Sequence, residues 1–259
     1  MASPRFKKNL NLLGVLVKMY FRTSDYKSIG GALWSFIGPL TAFVVLYCIF
    51  EARFGKSIPD FPLHLLVGII PLTFFNNMMT HGMRFFEKHR DFLLNSHVPA
   101  EILLVSSLFV PALKFAVEIS LCAVAGLAFG VLHLTSLPLF YLTAIGFILL
   151  VFGITLHFLI LSTLAGDVME IWTVLWPMML FITPTFYTVD MLSPWARLMV
   201  LNLNPLTPVV LAFQSLMLGH AAPYFSVYTV VQGAAYMTIA FVSGYSCFKR
   251  FEKRGVEMS

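Results

Sequence analysis

Residues 119–166 contain no Asp, Glu, Lys or Arg, a run of 48 positions bounded by Glu118 and Asp167. A water-covered surface cannot be built from such a stretch. A helix crosses roughly 30 Å of hydrocarbon in about 20 residues at 1.5 Å per residue, so the run holds two crossings, with the turn near 132–138. Two further uncharged runs of 23 residues, between Lys27 and Glu51 and between Asp60 and Arg84, are each long enough for one more. Residues 171–186 form a shorter apolar stretch. Residues 198–248 are again uncharged and their reading is ambiguous.

Composition agrees with lipid as the solvent. Charged residues make up 11% of the chain and apolar ones 59%, with a mean hydropathy of +0.85; a soluble domain carries about a quarter charged residues. The three cysteines, Cys48, Cys122 and Cys247, lie in or beside apolar runs and read as packing residues rather than a disulfide frame or metal site. The basic start, Arg5, Lys7 and Lys8, is not followed by a short apolar core and a small-residue cleavage site, so no cleaved signal peptide is expected.

Basic residues resolve the ambiguous run. They cluster before residue 28 (Arg5, Lys7, Lys8, Lys18, Arg22, Lys27), in the second connection (Arg84, Lys88, Arg90) and at the end (Lys249, Arg250, Lys253, Arg254). By the positive-inside rule these three groups are cytoplasmic. A full crossing by 198–218 would put the basic end outside. That segment also holds Asn202, Asn204, Pro205, Pro208 and Gln214, which are costly against lipid. It is therefore expected to be re-entrant on the outer side, leaving six crossings and both ends in the cytoplasm.

Four features outside or within the spans are candidate functional elements. Residues 5–22 form an amphipathic stretch with Lys7, Asn11, Gly14, Lys18 and Arg22 on one narrow helical face. Such a helix lies flat in the headgroup region, either as an anchor or as a cationic platform for an anionic lipid. In 82–97, Phe85, Phe86, His89 and Leu93 share one helical face, as expected either of an interfacial elbow or of a helix that docks into a motor subunit. Lys114 and Glu118 are four apart in the third span; a charge pair at that depth holds helices together or lines a polar route. Phe36, Phe43, Tyr47 and Phe50 share a face of the first span, and Trp172 and Trp176 one of the fifth, suited to packing or to stacking on sugar rings in a conduit.

Enzyme signatures are absent. Gly55-Lys56-Ser57 resembles the end of a P-loop, but Phe50 stands where the motif requires its first glycine. There is no His-Glu-x-x-His and no Gly-x-Ser-x-Gly, and the seven histidines are scattered. The chain is not expected to hydrolyse ATP or to hold a cofactor or metal.

Three stretches, taken together, resemble the permease subunits of ABC-2 type polysaccharide exporters, the group serving O-antigen, capsule and teichoic acid. The first is Gly31-Ala32-Leu33-Trp34-Ser35-Phe36-Ile37-Gly38-Pro39-Leu40. The second is Val98-Pro99-Ala100-Glu101-Ile102, running on to Ser106-Ser107. The third is Thr183-Pro184-Thr185-Phe186-Tyr187, then Leu192-Ser193-Pro194-Trp195, then Asn204-Pro205-Leu206-Thr207-Pro208 and Leu218-Gly219, similar to the outer re-entrant gate segment of that family. Gln214 departs from the pattern, since many members carry arginine there.

The resemblance implies a homodimeric permease in the bacterial inner membrane. Each copy would bind one nucleotide-binding subunit, which holds the ATP and magnesium, and the cargo would be a lipid-linked glycan. Residues 82–97 become the coupling helix, with Phe85, Phe86, His89 and Leu93 meeting the ATPase. Arg22 and Lys27 become the phosphate-binding pair where substrate arrives. Phe36, Phe43, Tyr47, Trp172 and Trp176 become conduit residues. No nucleic-acid partner is implied. A drug or small-lipid permease of the same architecture and a membrane-embedded glycan-modifying enzyme remain alternatives.

The expected fold is thus an all-α integral membrane protein, one domain over 1–259. Its spans are 28–50, 61–80, 102–131, 138–165, 168–187 and 224–248. An interfacial helix lies at 5–22, a coupling helix at 82–97 and an outer re-entrant segment at 190–219.

Overall fold

The computed structural model describes residues 4–23, 29–96, 98–219, 222 and 224–258, and within them the side chains at 9, 11–20, 37–252 and 254–255. Among these residues the protein is all-helical, without a strand. The helices are α1 (Pro4–Thr23), α2 (Ile29–Phe54), α3 (Phe61–Met83), α4 (Phe85–Asn95), α5 (Ala100–Ala128), α6 (Leu137–Leu164), α7 (Val168–Ile182), α8 (Pro194–Leu203), α9 (Thr207–Leu218) and α10 (Val227–Met258).

Local chemistry sets the breaks. Proline stands in the first turn of α3, α6, α8 and α9, where its missing N–H costs nothing. Ser193 caps α8 by accepting from the Ala196 amide at 3.5 Å. Pro184 forces Thr183 into an extended conformation (φ −96°, ψ 137°) and ends α7 there. That leaves α7 with 15 residues, about 22 Å of helix at 1.5 Å per residue, shorter than the 168–187 expected from hydropathy.

Among the described residues five helices are long and apolar enough to cross a membrane, with α8 and α9 forming a sixth candidate if their 96° bend is one broken span. Among the described residues α6 and α10 make the most extensive contact and run parallel: Gly146 lies beside Met237, Gly153 beside Ala240, and His157 beside Ser243 and Gly244. The chain between Leu164 and Val227 must therefore return to the far end of the bundle. α7, the loop after it and the bent pair make that return.

Against lipid, burying a phenylalanine gains little by the hydrophobic effect, so close packing has to hold the helices together. A Cβ on Gly153 would come within 2.5 Å of the Ala240 and Phe241 backbone, and one on Gly244 within 2.5 Å of Gly153 O. Only glycine permits that crossing. α3 is the hub, with most of its surface covered. Phe74 stacks on Phe115 at 4.5 Å, Phe115 meets Phe147 at 5.7 Å and Phe213 meets Phe140 at 5.3 Å, joining α3, α5, α6 and α9 in one aromatic core. α2 and α10 lie at the rim, largely uncovered.

Candidate functional site

The sequence stretches 183–187 and 204–214 meet in the fold and form a buried polar joint. Asn204, at the α8–α9 bend, is 6% exposed; its amide donates to Thr183 Oγ1 at 2.9 Å while its Oδ1 accepts from the Leu206 amide at 3.0 Å. Gln214 of α9 is 1% exposed and donates to Pro184 O at 2.8 Å. Its second N–H points at His64 Nε2, 3.2 Å away on α3, which makes that ring nitrogen the acceptor. Thr185 donates to Leu180 O at 3.1 Å, and the Tyr187 hydroxyl to Phe181 O at 3.0 Å. Non-helical backbone at membrane depth survives only where protein groups satisfy it. Here Thr185 and Tyr187 in the loop after α7, Asn204 at the bend and Gln214 on α9 do so, and the Gln214–His64 contact ties the bent pair to the hub helix.

The other end of the bundle carries α4. Arg84 alone separates it from α3, and its aromatic face turns inward: Phe85 is 0% and Phe86 1% exposed. Phe86 packs on Phe248 at 6.3 Å and Phe251 at 6.4 Å, both on α10. His89 meets the Tyr20 ring of α1 edge-on at 5.5 Å, and its Nδ1 donates to Phe85 O at 2.8 Å. Burial holds the His89 imidazole below its usual pKa, with the Lys88 charge adding to the effect and the Phe85 carbonyl opposing it. Leu93 is half-buried against the core. Phe85 and Phe86, expected to contact a partner, are covered inside the protomer, where they seat α4. The face turned outward carries Glu87, Arg90, Asp91, Phe92 and Leu94.

The remaining expected residues fall in several places. Phe43 stacks on Tyr47 at 5.8 Å, and Tyr47 on Phe61 at 6.2 Å, so this stripe packs α2 against α3. Phe50 continues it onto Phe186 at 4.5 Å. Trp172 is buried, donates from Nε1 to Asn76 Oδ1 at 3.0 Å and meets Phe75 and Phe158, docking α7 onto α3 and α6; Trp176 stands beside it, partly buried. Glu118 is 6% exposed and Lys114 half-buried, near enough for the lysine charge to act on the carboxyl. Lys27 lies outside the described residues, as do the side chains of Arg22 and Phe36. No cluster of three or more metal-ligating side chains occurs among the described residues.

Two groupings were not anticipated from sequence. One is the His64–Gln214 contact, foreshadowed only by a polar residue standing in each apolar run. The other joins Glu101, at the start of α5, to α10: Lys249 pairs with its carboxylate, and the Tyr245 hydroxyl donates to the same oxygen at 2.9 Å. No local sequence signal links positions so far apart.

Comparison with characterised proteins places this arrangement. The chain is 26% identical over 220 residues to the O-antigen export system permease protein RfbA of Myxococcus xanthus, covering 82% of each chain. It is 24% identical over 251 residues to an RfbA of Klebsiella pneumoniae, covering 94% of this chain and 92% of that one. A second Klebsiella pneumoniae RfbA matches at 24% over 264 aligned positions and 99% of each chain. No family model matches the sequence. The resemblance read from the motifs thus holds along nearly the whole length: the chain is similar to O-antigen export permeases.

Proposed function

We propose that this relative of the O-antigen export permeases is the membrane-spanning subunit of an ATP-driven exporter that moves a lipid-linked polysaccharide, O-antigen first, across the bacterial inner membrane. The observation that carries the proposal is the similarity to three O-antigen export permeases over 82–99% of the chain. The all-helical fold, with several helices of spanning length, supports it.

In this reading the chain crosses six times, α7 with the loop after it serving as the fifth crossing, and both ends lie in the cytoplasm. The α8–α9 pair is the outer re-entrant element, and α4 is the cytoplasmic coupling helix, engaging an ATPase subunit through Phe92 and Leu94. Two copies and two ATPase subunits make the exporter, and ATP and magnesium stay on the ATPase. α2 and α7 supply the faces that the second copy covers, since Leu40, Val44, Ile49, Val174 and Met178 lie open in the protomer. Trp176 and the uncovered edges of Phe43 and Tyr47 border the conduit between copies, with Trp172 behind them, and Phe36 is kept as a conduit residue on the resemblance alone. Lys114 and Glu118 flank the polar route. Arg22 and Lys27 bind the diphosphate of the arriving lipid through charge-assisted hydrogen bonds.

A deletion strain tests this reading. Loss of the chain should strip O-polysaccharide from the cell surface while lipid-linked polymer accumulates inside, and the wild-type chain should restore export. Unchanged surface polymer in the deletion strain would overturn the assignment.

A further inference from the structure

Positive charge gathers where α3 passes into α4. Arg84, the one residue between the two helices, stands three positions after His81, and Lys88 stands four after Arg84, spacings that keep side chains on one side of a helix. All three are exposed. The His81 ring, held by donation from its Nδ1 to Asn77 O at 2.8 Å, feels the charges of Lys88, Lys114 and Arg84 together. Glu87 and Asp91 follow Arg84 and Lys88 by three residues, yet among the described residues neither cation forms an ion pair.

Lys114 approaches this junction from deeper in the bundle. Its neighbour Phe115 stacks on Phe74, about two turns of α3 before His81. α4 links the end of α3 to the start of α5, and a helical side chain leans toward the start of its own helix, so the Lys114 stem points back toward α4. Its charge also acts on Glu118, which leaves Arg84 and Lys88 as the pair to hold a further anion. Flanking Lys114 on α5, Phe109, Leu113 and Val117 follow at spacings of four and lie open as an apolar stripe.

A molecule that suits both parts carries a phosphate at one end and hydrocarbon below it. α3 is of spanning length and ends at this junction, which sets the cations at headgroup level. Basic pockets between spanning helices attract anionic headgroups at that level. We propose that Arg84 and Lys88 bind the phosphate of an anionic membrane phospholipid, whose acyl chains lie along the Phe109, Leu113 and Val117 stripe. Among the described residues α5 packs chiefly on α3 and α1 rather than on α2 or α7. The site thus lies apart from the faces assigned to the second copy and the conduit, so its ligand is a resident lipid instead of cargo. The inference needs only that α3 and α5 span the membrane, and it stands whatever the protein transports.

The test uses the full-length protein, purified in a neutral detergent and mixed with cardiolipin, phosphatidylglycerol or phosphatidylcholine of matched acyl chains. Native mass spectrometry counts the bound lipid. Both anionic lipids should bind well above phosphatidylcholine. Arg84→Gln with Lys88→Gln should lower that preference about ten-fold, as expected for two cations at headgroup level. Arg250→Gln with Arg254→Gln, which removes the same charge from exposed positions on α10, should leave it unchanged. If the first double variant folds poorly, Lys88→Gln alone should lower the preference about three-fold. A preference kept without Arg84 and Lys88, or lost equally without Arg250 and Arg254, would overturn the proposal. So would farnesyl diphosphate that displaces bound phosphatidylglycerol at a concentration below that of the phospholipid, which would make the pair a site for a carrier lipid.

Discussion

Asn204 and Gln214 show how much a single amide can hold when no water stands by to replace it. Removing either leaves Thr183 Oγ1, the Leu206 amide or Pro184 O without its partner, and each buried orphan costs about 1–3 kcal/mol. Asn204→Leu and Gln214→Leu should each lower the thermal midpoint of the purified protein, and together they should be less than additive because both act on 183–184. Full additivity would mean that the two amides hold independent parts. His89 gives a second prediction at this scale. Its pKa in the fold is lowered from 6.5, so the unfolded or undocked chain takes up the proton first as pH falls. Stability of α4 is thus constant above 6.5 and declines below it, toward the lowered value. Amide exchange of α4, corrected for its intrinsic pH dependence, should quicken below 6.5 in the wild type and not in His89→Phe. The residue types of both sites stood in plain view in the sequence, and the third motif stretch pointed to the right neighbourhood. Which side chains pair was hidden, because Gln214 and His64 are separated by 150 positions and nothing local reports such a contact.

At the scale of elements, helix periodicity in the sequence marks which faces are covered but not by what. An apolar face says that a surface is buried and is silent about what buries it. The face Phe85, Phe86, His89 and Leu93 exists as expected, but α10, α1 and the core cover it. Phe86→Ala should therefore act as a core truncation, costing about 3–5 kcal/mol of stability. Leu94→Asp, at a position 56% exposed, should leave the thermal midpoint near that of the wild type while weakening ATPase co-purification. Differential scanning of the two purified variants, with pull-down of the ATPase, separates these effects; the reverse pattern would put the partner back on the aromatic face. The short α7 has a different lesson. Hydropathy continues through 183–187, so the apolar run reads as helix to its end, but the Thr183-Pro184 step breaks it and frees the backbone for the polar joint.

For the whole molecule, the parallel course of α6 and α10 requires one net return across the bundle between them, and the proposed six-crossing topology, drawn from the basic residues, contains such a return. Packing between Gly153 and Gly244 sets the first, and charge distribution relative to the membrane sets the second. In intact cells a cysteine at Lys56 or Ser193 should react with an impermeant reagent and one at Arg254 should not; labelling at Arg254 would remove the six-crossing topology. A stripe such as Phe43, Tyr47 and Phe50 has the same spacing whether it packs or conducts, so the proposed conduit was not legible in the sequence. The central claim is that this chain is the membrane path of an ATP-driven glycan exporter. It meets its most direct test in proteoliposomes that contain the chain with its ATPase and are loaded with a lipid-linked O-polysaccharide. ATP should move the polysaccharide to the face opposite the ATPase, where an added glycosidase can digest it, and omission of the chain should abolish that movement. ATP hydrolysis at the normal rate with the polymer still protected from the glycosidase would contradict the account.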